Sequence, residues 1–297
     1  MKVAAAGARR RHNGDMRVVD GHLHLWDPEI LTYEWLEGPL LRSFGPEELD
    51  LALQDAPDDD FGFVFVQAEC APEQSVAEVD WVASLAPRVP LRGIVARAPL
   101  EDPAATDEHL AAYESRPLVV GVRRLLQSEP DGFSATAGFR DAARAVAAAG
   151  LTFDACVRWS QLSDVIALAD EVPELTIVLD HLGKPPVGSA DAAAPADGTP
   201  WATELHRLAR RHNVVCKLSG LPAESQGEWT AAQLRPFLDV ALDAFGPHRL
   251  LFGGDWPVSG PYGRWVETVS SWLTDRLGEH DREAVLAANA ERVYRLG

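Results

Sequence analysis

The feature that most constrains the fold is a repeated alternation. Eight short apolar, β-rich runs, at 17–24, 62–69, 92–98, 118–125, 151–157, 175–181, 214–219 and 249–254, are separated by Ala- and Leu-rich, helix-like stretches. Parallel strands need crossover helices between them, and eight such units is the number that closes a (β/α)8 TIM barrel. Phe139–Gly150 and Gln233–Gly246 read as two of the crossovers, the second with Leu234, Phe237, Leu238, Ala241, Leu242 and Phe245 on one stripe. With 297 residues and 46% hydrophobic content, the chain can bury one such core. The expected organisation is therefore α/β, a single-domain barrel over 17–297. Residues 1–16, which carry Arg9–Arg11 and lack the apolar stretch of roughly 7–15 residues that a signal peptide needs, are expected to form a disordered leader. Two long interruptions, 26–60 and 185–200, follow strand C-termini, where a barrel keeps its active-site loops. Either is a candidate lid, and the low-complexity 185–200 equally suits a tolerated surface insertion.

Composition narrows the partners. A formal net charge of −18 opposes binding to nucleic-acid phosphates or anionic membranes, which points to a small molecule, without excluding a homo-oligomer. No run approaches the roughly 18 apolar residues of a membrane span. Three cysteines, Cys70, Cys156 and Cys216, show no Cys-x-x-Cys spacing and sit in or beside apolar runs, as expected of reduced, buried thiols in a cytoplasmic protein.

Polar residues collect at the strand ends. His22 and His24 lie two apart in Val18-Val19-Asp20-Gly21-His22-Leu23-His24, so in a strand they share a face. Asp255 ends the last run, which barrel closure brings back beside the first. Neutral imidazoles that hold a divalent ion, with a carboxylate to accept a proton from water, are what a metal-assisted hydrolase requires. His22, His24 and Asp255 are the candidate ligands, and Asp255 doubles as the base. Between these ends lie Glu69, Arg123, Arg124, Asp154, Arg158, Asp180, His181 and Lys217. His181, Lys217 or an arginine is available to stabilise an oxyanion. Lys217 serves equally well as a buried bridge to Asp180 or Glu69. Asp180, adjacent to His181, is expected on the opposite strand face in a structural role. His12, His109, His206, His212, His248 and His280 have no such context and read as structural or exposed. The chain has no Gly-x-Ser-x-Gly elbow, no phosphate-binding Gly-x-x-x-x-Gly-Lys loop and no Gly-x-Gly-x-x-Gly after the first strand.

Six ordered segments carry a family resemblance: Asp20–Pro28, Gly121–Gln127, Leu179–Pro185, Cys216–Gly220, Phe252–Val258 and Asn289–Tyr294. On them, from about Val18 to Leu296, the chain resembles the amidohydrolase-2 branch of the amidohydrolase superfamily, in particular its sugar-lactone hydrolases of the L-fuconolactonase and L-rhamnonolactonase type. The resemblance implies a (β/α)8 barrel that hydrolyses a lactone, with His22, His24, His181 and Asp255 matching the catalytic core and Arg123 matching a substrate-holding position. It also implies either one divalent ion, zinc for example, or a metal-free route in which Asp255 activates water directly. Asp255 and His181 are then the catalytic pair, and Arg123, Lys217, Trp26 and Trp256 the candidate substrate contacts. Trp26, Trp159 and Trp256 flank the site and either stack on a sugar ring or cover the barrel mouth. Gly254 stands where such relatives usually carry serine, so support of Asp255 is expected to differ. Asn289 and Arg292 are expected to anchor loops. The substrate class expected is an aldonolactone or a related carboxylated lactone. The alternatives are a metal-dependent decarboxylase of the same branch and a non-catalytic sugar-acid-binding barrel.

Overall fold

The computed structural model describes residues 17–57, 60–189, 192–193 and 196–297; the leader expected at 1–16 and part of the 185–200 loop lie outside them. Every one of the eight runs forms a strand: β1 Arg17–Leu23, β2 Asp60–Val66, β3 Leu91–Arg97, β4 Val119–Leu125, β5 Thr152–Cys156, β6 Ile177–Leu179, β7 Val214–Leu218 and β8 Leu250–Phe252. Consecutive strands pair in parallel from β1 through β8. The seam between β8 and β1 closes just beyond the strands. There Asp255 N–H donates to His22 O at 2.7 Å, His24 N–H donates to Trp256 O at 2.9 Å, and Leu23 bridges Trp256.

Helices α1 Pro46–Leu53, α2 Ser75–Ser84, α3 Pro103–Tyr113, α4 Ala137–Ala148, α5 Leu162–Glu171, α6 Pro200–Ala209, α7 Ala231–Phe245 and α8 Tyr262–Arg276 follow the strands in turn. Their starts are written locally. Asp102, Thr136, Thr199 and Thr230 accept hydrogen bonds from the first-turn amides of α3, α4, α6 and α7, satisfying donors that have no partner inside the helix.

The core has two parts. The larger lies between strands and helices, where Phe63, Phe139, Phe153, Trp201, Phe237 and Trp265 are buried. The smaller fills the barrel itself: Val19, Val64, Val66, Val95, Val178, Val215 and Leu251 point inward and meet Ala287, Ala290, Val293 and Tyr294. The chain's last helical segments, Glu279–Val293 with a π-helical stretch at Ala284–Ala288, thus close the N-terminal end of the barrel. Asn289 and Arg292 anchor that end as expected: Asn289 Nδ2 donates to Pro247 O and Leu250 O, each at 2.8 Å, and Arg292 donates to His248 O at 2.7 Å. The three cysteines are buried and unbridged. Among the described residues, no helix is long and apolar enough to cross a membrane.

Candidate active site

The strands deliver side chains at their C-terminal ends to one cavity of about 560 Å³, from His24 after β1 and Glu69 after β2 to Arg123 in β4, His181 after β6 and Asp255 after β8. That is the end at which barrels of this architecture do chemistry. Three imidazoles converge there on one carboxylate oxygen. Asp255 Oδ1 lies 3.6 Å from His22 Nε2, 3.5 Å from His24 Nε2 and 3.7 Å from His181 Nε2. The remaining nitrogens are held elsewhere. His24 Nδ1 donates to Val66 O at 2.8 Å, His181 Nδ1 lies 2.8 Å from Ser219 Oγ, and His22 Nδ1 lies 3.2 Å from Asp180 Oδ1. Such outer partners fix ring orientation and tautomer, and leave the Nε2 lone pairs for a ligand.

The arrangement fits a divalent ion. Ligands bound to tetrahedral zinc at about 2.0–2.1 Å are about 3.4 Å apart, close to the separations above and to the 3.1 Å between His22 Nε2 and His24 Nε2. The ligand atoms of His22, His181 and Asp255 all lie within 4.8 Å of one another, so His181 joins the donor set alongside the three ligands expected from sequence. Protonation agrees. Burial lowers all three imidazoles, His181 to about 4. Burial alone would raise the Asp255 carboxyl, but the imidazoles, His181 foremost, hold it well below the usual carboxylate range. Neutral imidazoles beside an ionised carboxylate are the states that metal ligation needs.

The backbone explains how these groups meet. Asp255 and His181 both have left-handed conformations, with φ of 50° and 53°, and each follows a strand that ends early. Gly220, with φ of 71°, leaves room for the His181 ring: a Cβ there would sit 2.4 Å from His181 Cγ. Asp20, which no motif argument assigned a role, pins the closing seam. Its Oδ1 accepts from the amides of His22 and Gly254, each at 2.8 Å, and its Oδ2 accepts from the Tyr262 hydroxyl at 2.9 Å. Gly254 explains its own departure from the family pattern, because a Cβ would lie 2.4 Å from Tyr262 Cε2 and 2.5 Å from Asp20 Oδ2. The support lost with a serine hydroxyl comes from another residue. Ser259 Oγ donates to Asp255 Oδ2 at 2.6 Å.

Four expectations change. Asp180 does not face away from the site. β6 ends at Leu179, and the turn of the chain at His181 sends both side chains into the barrel. Lys217 lies in a layer beneath the cavity and does not line it. Fully buried, its Nζ is 2.5 Å from Asp154 Oδ2, 3.0 Å from Asp180 Oδ1 and 3.0 Å from His22 Nδ1. Two carboxylates claim the ammonium, so the bridge is to Asp154 and Asp180, and in place of a substrate contact Lys217 holds Asp180, the carboxylate beside His22 Nδ1. Trp26 and Trp256 are also packing residues. Trp26 Nε1 donates to Arg42 O at 2.9 Å and its ring meets Phe44, against which Trp256 also stands edge-on. The aromatic on the cavity wall is Trp35, 38% exposed, with Nε1 donating to Ala68 O at 2.7 Å. It lies in the Trp-rich 26–60 interruption, the one signal that pointed to it.

Arg123 does line the cavity, and part of its fork is committed: Nη2 donates to Gln67 O, and Nη1 is 3.5 Å from Asp180 Oδ2. Trp159 stands in a neighbouring depression with Arg158 and Lys184, outside the main cavity.

Comparison with known proteins agrees with this geometry. The family model described as Amidohydrolase matches residues 19–296. L-fucono-1,5-lactonase of Burkholderia multivorans is 32% identical over 305 aligned positions, covering 94% of this chain and 96% of that one. L-rhamnono-gamma-lactonase of Scheffersomyces stipitis is 23% identical, covering 94% and 99%. A crystal structure of an amidohydrolase from Burkholderia multivorans with bound zinc superimposes with a TM-score of 0.80 at 30% identity, over 94% of this chain and 99% of that one.

Proposed function

The chain belongs to the amidohydrolase family, and we propose that within it this protein is a sugar lactonase, which opens an aldonolactone to its hydroxy acid with Asp255 as general base. The observation that carries the reading is the convergence of three imidazoles on Asp255 Oδ1 at the floor of a cavity that can hold a sugar-sized ring. The relatives named as lactonases support the reaction class.

His22, His24, His181 and Asp255 would hold a single divalent ion, with zinc favoured by the nitrogen-rich set, and the ion would supply a Lewis acid that polarises the carbonyl and acidifies water. The protein's own groups do the rest. Asp255 keeps Oδ2 on Ser259 and Oδ1 toward the cavity, so its basic lone pair has one direction. Water loses its proton to Oδ1 as it attacks the lactone carbonyl; the same proton then passes to the ring oxygen as the C–O bond breaks. His181, facing the cavity beside Asp255, would hold the ion through its Nε2 lone pair, so stabilisation of the developing oxyanion would fall to that ion and to the Arg123 guanidinium on the cavity wall. Arg123 and Trp35 provide a polar and a flat apolar wall for the ring.

Proton release from a panel of aldonolactones tests the function. Asp255→Asn is expected to lower kcat by several orders of magnitude with an unchanged circular dichroism spectrum. Turnover retained in that variant rejects Asp255 as base, and carbon dioxide release in place of acid production would move the assignment to a decarboxylase.

A further inference from the structure

We propose that Glu69 determines specificity in this site: its carboxylate accepts a hydrogen bond from a hydroxyl of the lactone ring, and the side chain of Gln67 positions it. The inference rests on the lactonase reading above.

Glu69 lies on the cavity wall with His24, His181 and Asp255, three residues past the end of β2. Its backbone is left-handed, with φ of 57°, a region that L-residues with long side chains rarely adopt. Six described non-glycine residues have positive φ, and four of them, Glu69, His181, Lys184 and Asp255, line this one cavity. Disfavoured backbone persists where the surroundings over-determine it, and it gathers at working sites. His181 and Asp255 belong to the imidazole cluster, and Lys184 pairs with Glu224 at 3.6 Å. Glu69 shares their conformation and has no part in the chemistry assigned so far.

What holds it is a clamp made by one residue. Glu69 N–H donates to Gln67 Oε1 at 2.7 Å, and Gln67 Nε2 donates to Glu69 Oε1 at 2.5 Å. Gln67 is itself fully buried, and its carbonyl accepts from Arg123 Nη2. The clamp engages Oε1 and leaves Oε2 as an acceptor at the cavity wall. Lys217, the partner considered from sequence, is committed to Asp154 and Asp180 instead. An ionised carboxylate only accepts, whereas a lactone's carbonyl and ring oxygen donate nothing. The matching ligand group is therefore a ring hydroxyl, and a carboxylate at that point of the ring would be repelled.

The test compares kcat and KM on two lactones of equal ring size, a polyhydroxylated hexono-δ-lactone and unsubstituted δ-valerolactone, for the wild type, Glu69→Gln and Gln67→Ala. Loss of a hydrogen bond to a charged group predicts that Glu69→Gln lowers kcat/KM on the sugar lactone by about 10- to 100-fold, chiefly through KM, while δ-valerolactone changes by less than about 2-fold. Gln67→Ala should move the sugar lactone in the same direction by a smaller factor. Equal losses on both lactones in the Glu69 variant, or none on either, overturn the proposal and leave the lactonase assignment standing. A wild-type enzyme that opens neither lactone overturns both.

Discussion

Gly254→Ala offers the sharpest test of how the seam positions Asp255. The family pattern suggests that a larger residue is harmless at this position. The structure predicts the opposite, since the added methyl would sit 2.4 Å from Tyr262 Cε2 and 2.5 Å from Asp20 Oδ2. Overpacking of this kind costs about 1–3 kcal/mol. Moving the Tyr262 ring also breaks its 2.9 Å hydrogen bond to a buried carboxylate, which adds about 1.5–3 kcal/mol. A loss of about 2.5–6 kcal/mol follows. With an unfolding entropy of roughly 2.1 cal/mol/K per residue, the 297 residues convert this to a fall in melting temperature of about 4–10 °C. Tyr262→Phe removes only the hydroxyl, so on the glycine background it should lose the hydrogen-bond part alone. On the alanine background, where that bond is already broken, it should lose almost nothing. Differential scanning calorimetry of the four proteins reads this coupling directly. The displaced seam carries Asp255, whose N–H donates to His22 O at 2.7 Å, so kcat should fall about 100-fold. An alanine variant that melts within about 1 °C of the wild type would refute the packing argument, and full additivity would refute the link through Tyr262 and Asp20.

Lys217→Met leaves Asp154 and Asp180, both fully buried, without their cation. It should cost about 3–5 kcal/mol in urea denaturation, with partial recovery when Asp154→Asn is added; a single variant as stable as the wild type contradicts the network. Stability in chelator should depend on pH through His181, whose folded-state pKa is lowered by burial from 6.5 to about 4. The unfolded chain binds this proton first, so stability is complete above pH 6.5 and falls as pH drops toward 4, by about 3 kcal/mol for this group. His181→Gln should show a correspondingly flatter profile, and identical profiles would count against a neutral His181. Zinc at about 100 times its Kd should raise apparent stability by about 2.7 kcal/mol, and His181→Gln should abolish most of that gain; equal stabilisation of the two proteins would exclude His181 from the ligand set.

The sequence was most legible where chemistry follows periodicity. Val18 and Val19 announce a strand, and the two-residue spacing of His22 and His24 then fixes their shared face whatever the rest of the chain does. The eight alternating runs carry the barrel, and the barrel alone brings Asp255 beside β1. The reading of Asp180 fails because it extends a strand's alternation past its true end. Alternation puts Asp180 on the face opposite His181 only if the β structure continues, but β6 stops at Leu179 and His181 has φ of 53°. Aromatic residues failed for a different reason. Nothing local distinguishes Trp26 from Trp35, and only the packing of Trp26 against Phe44 leaves Trp35 on the cavity wall.

The miss at Asp180 has a physical origin that bears on function. A left-handed residue re-aims the side chains around it, and for most residue types it leaves no compositional trace, because its conformation is imposed by tertiary contacts and runs against local preference. Glu69, His181 and Asp255 depend on such contacts: the Gln67 clamp for Glu69, the space above Gly220 for His181, and the Asp20-pinned seam for Asp255. The site is thus assembled where local preference and global fold disagree. It follows that substitutions at the supporting positions Gln67 and Gly220 should disturb the geometry of the cavity walls while sparing the β-barrel below, whose valines and closing helix make a separate core.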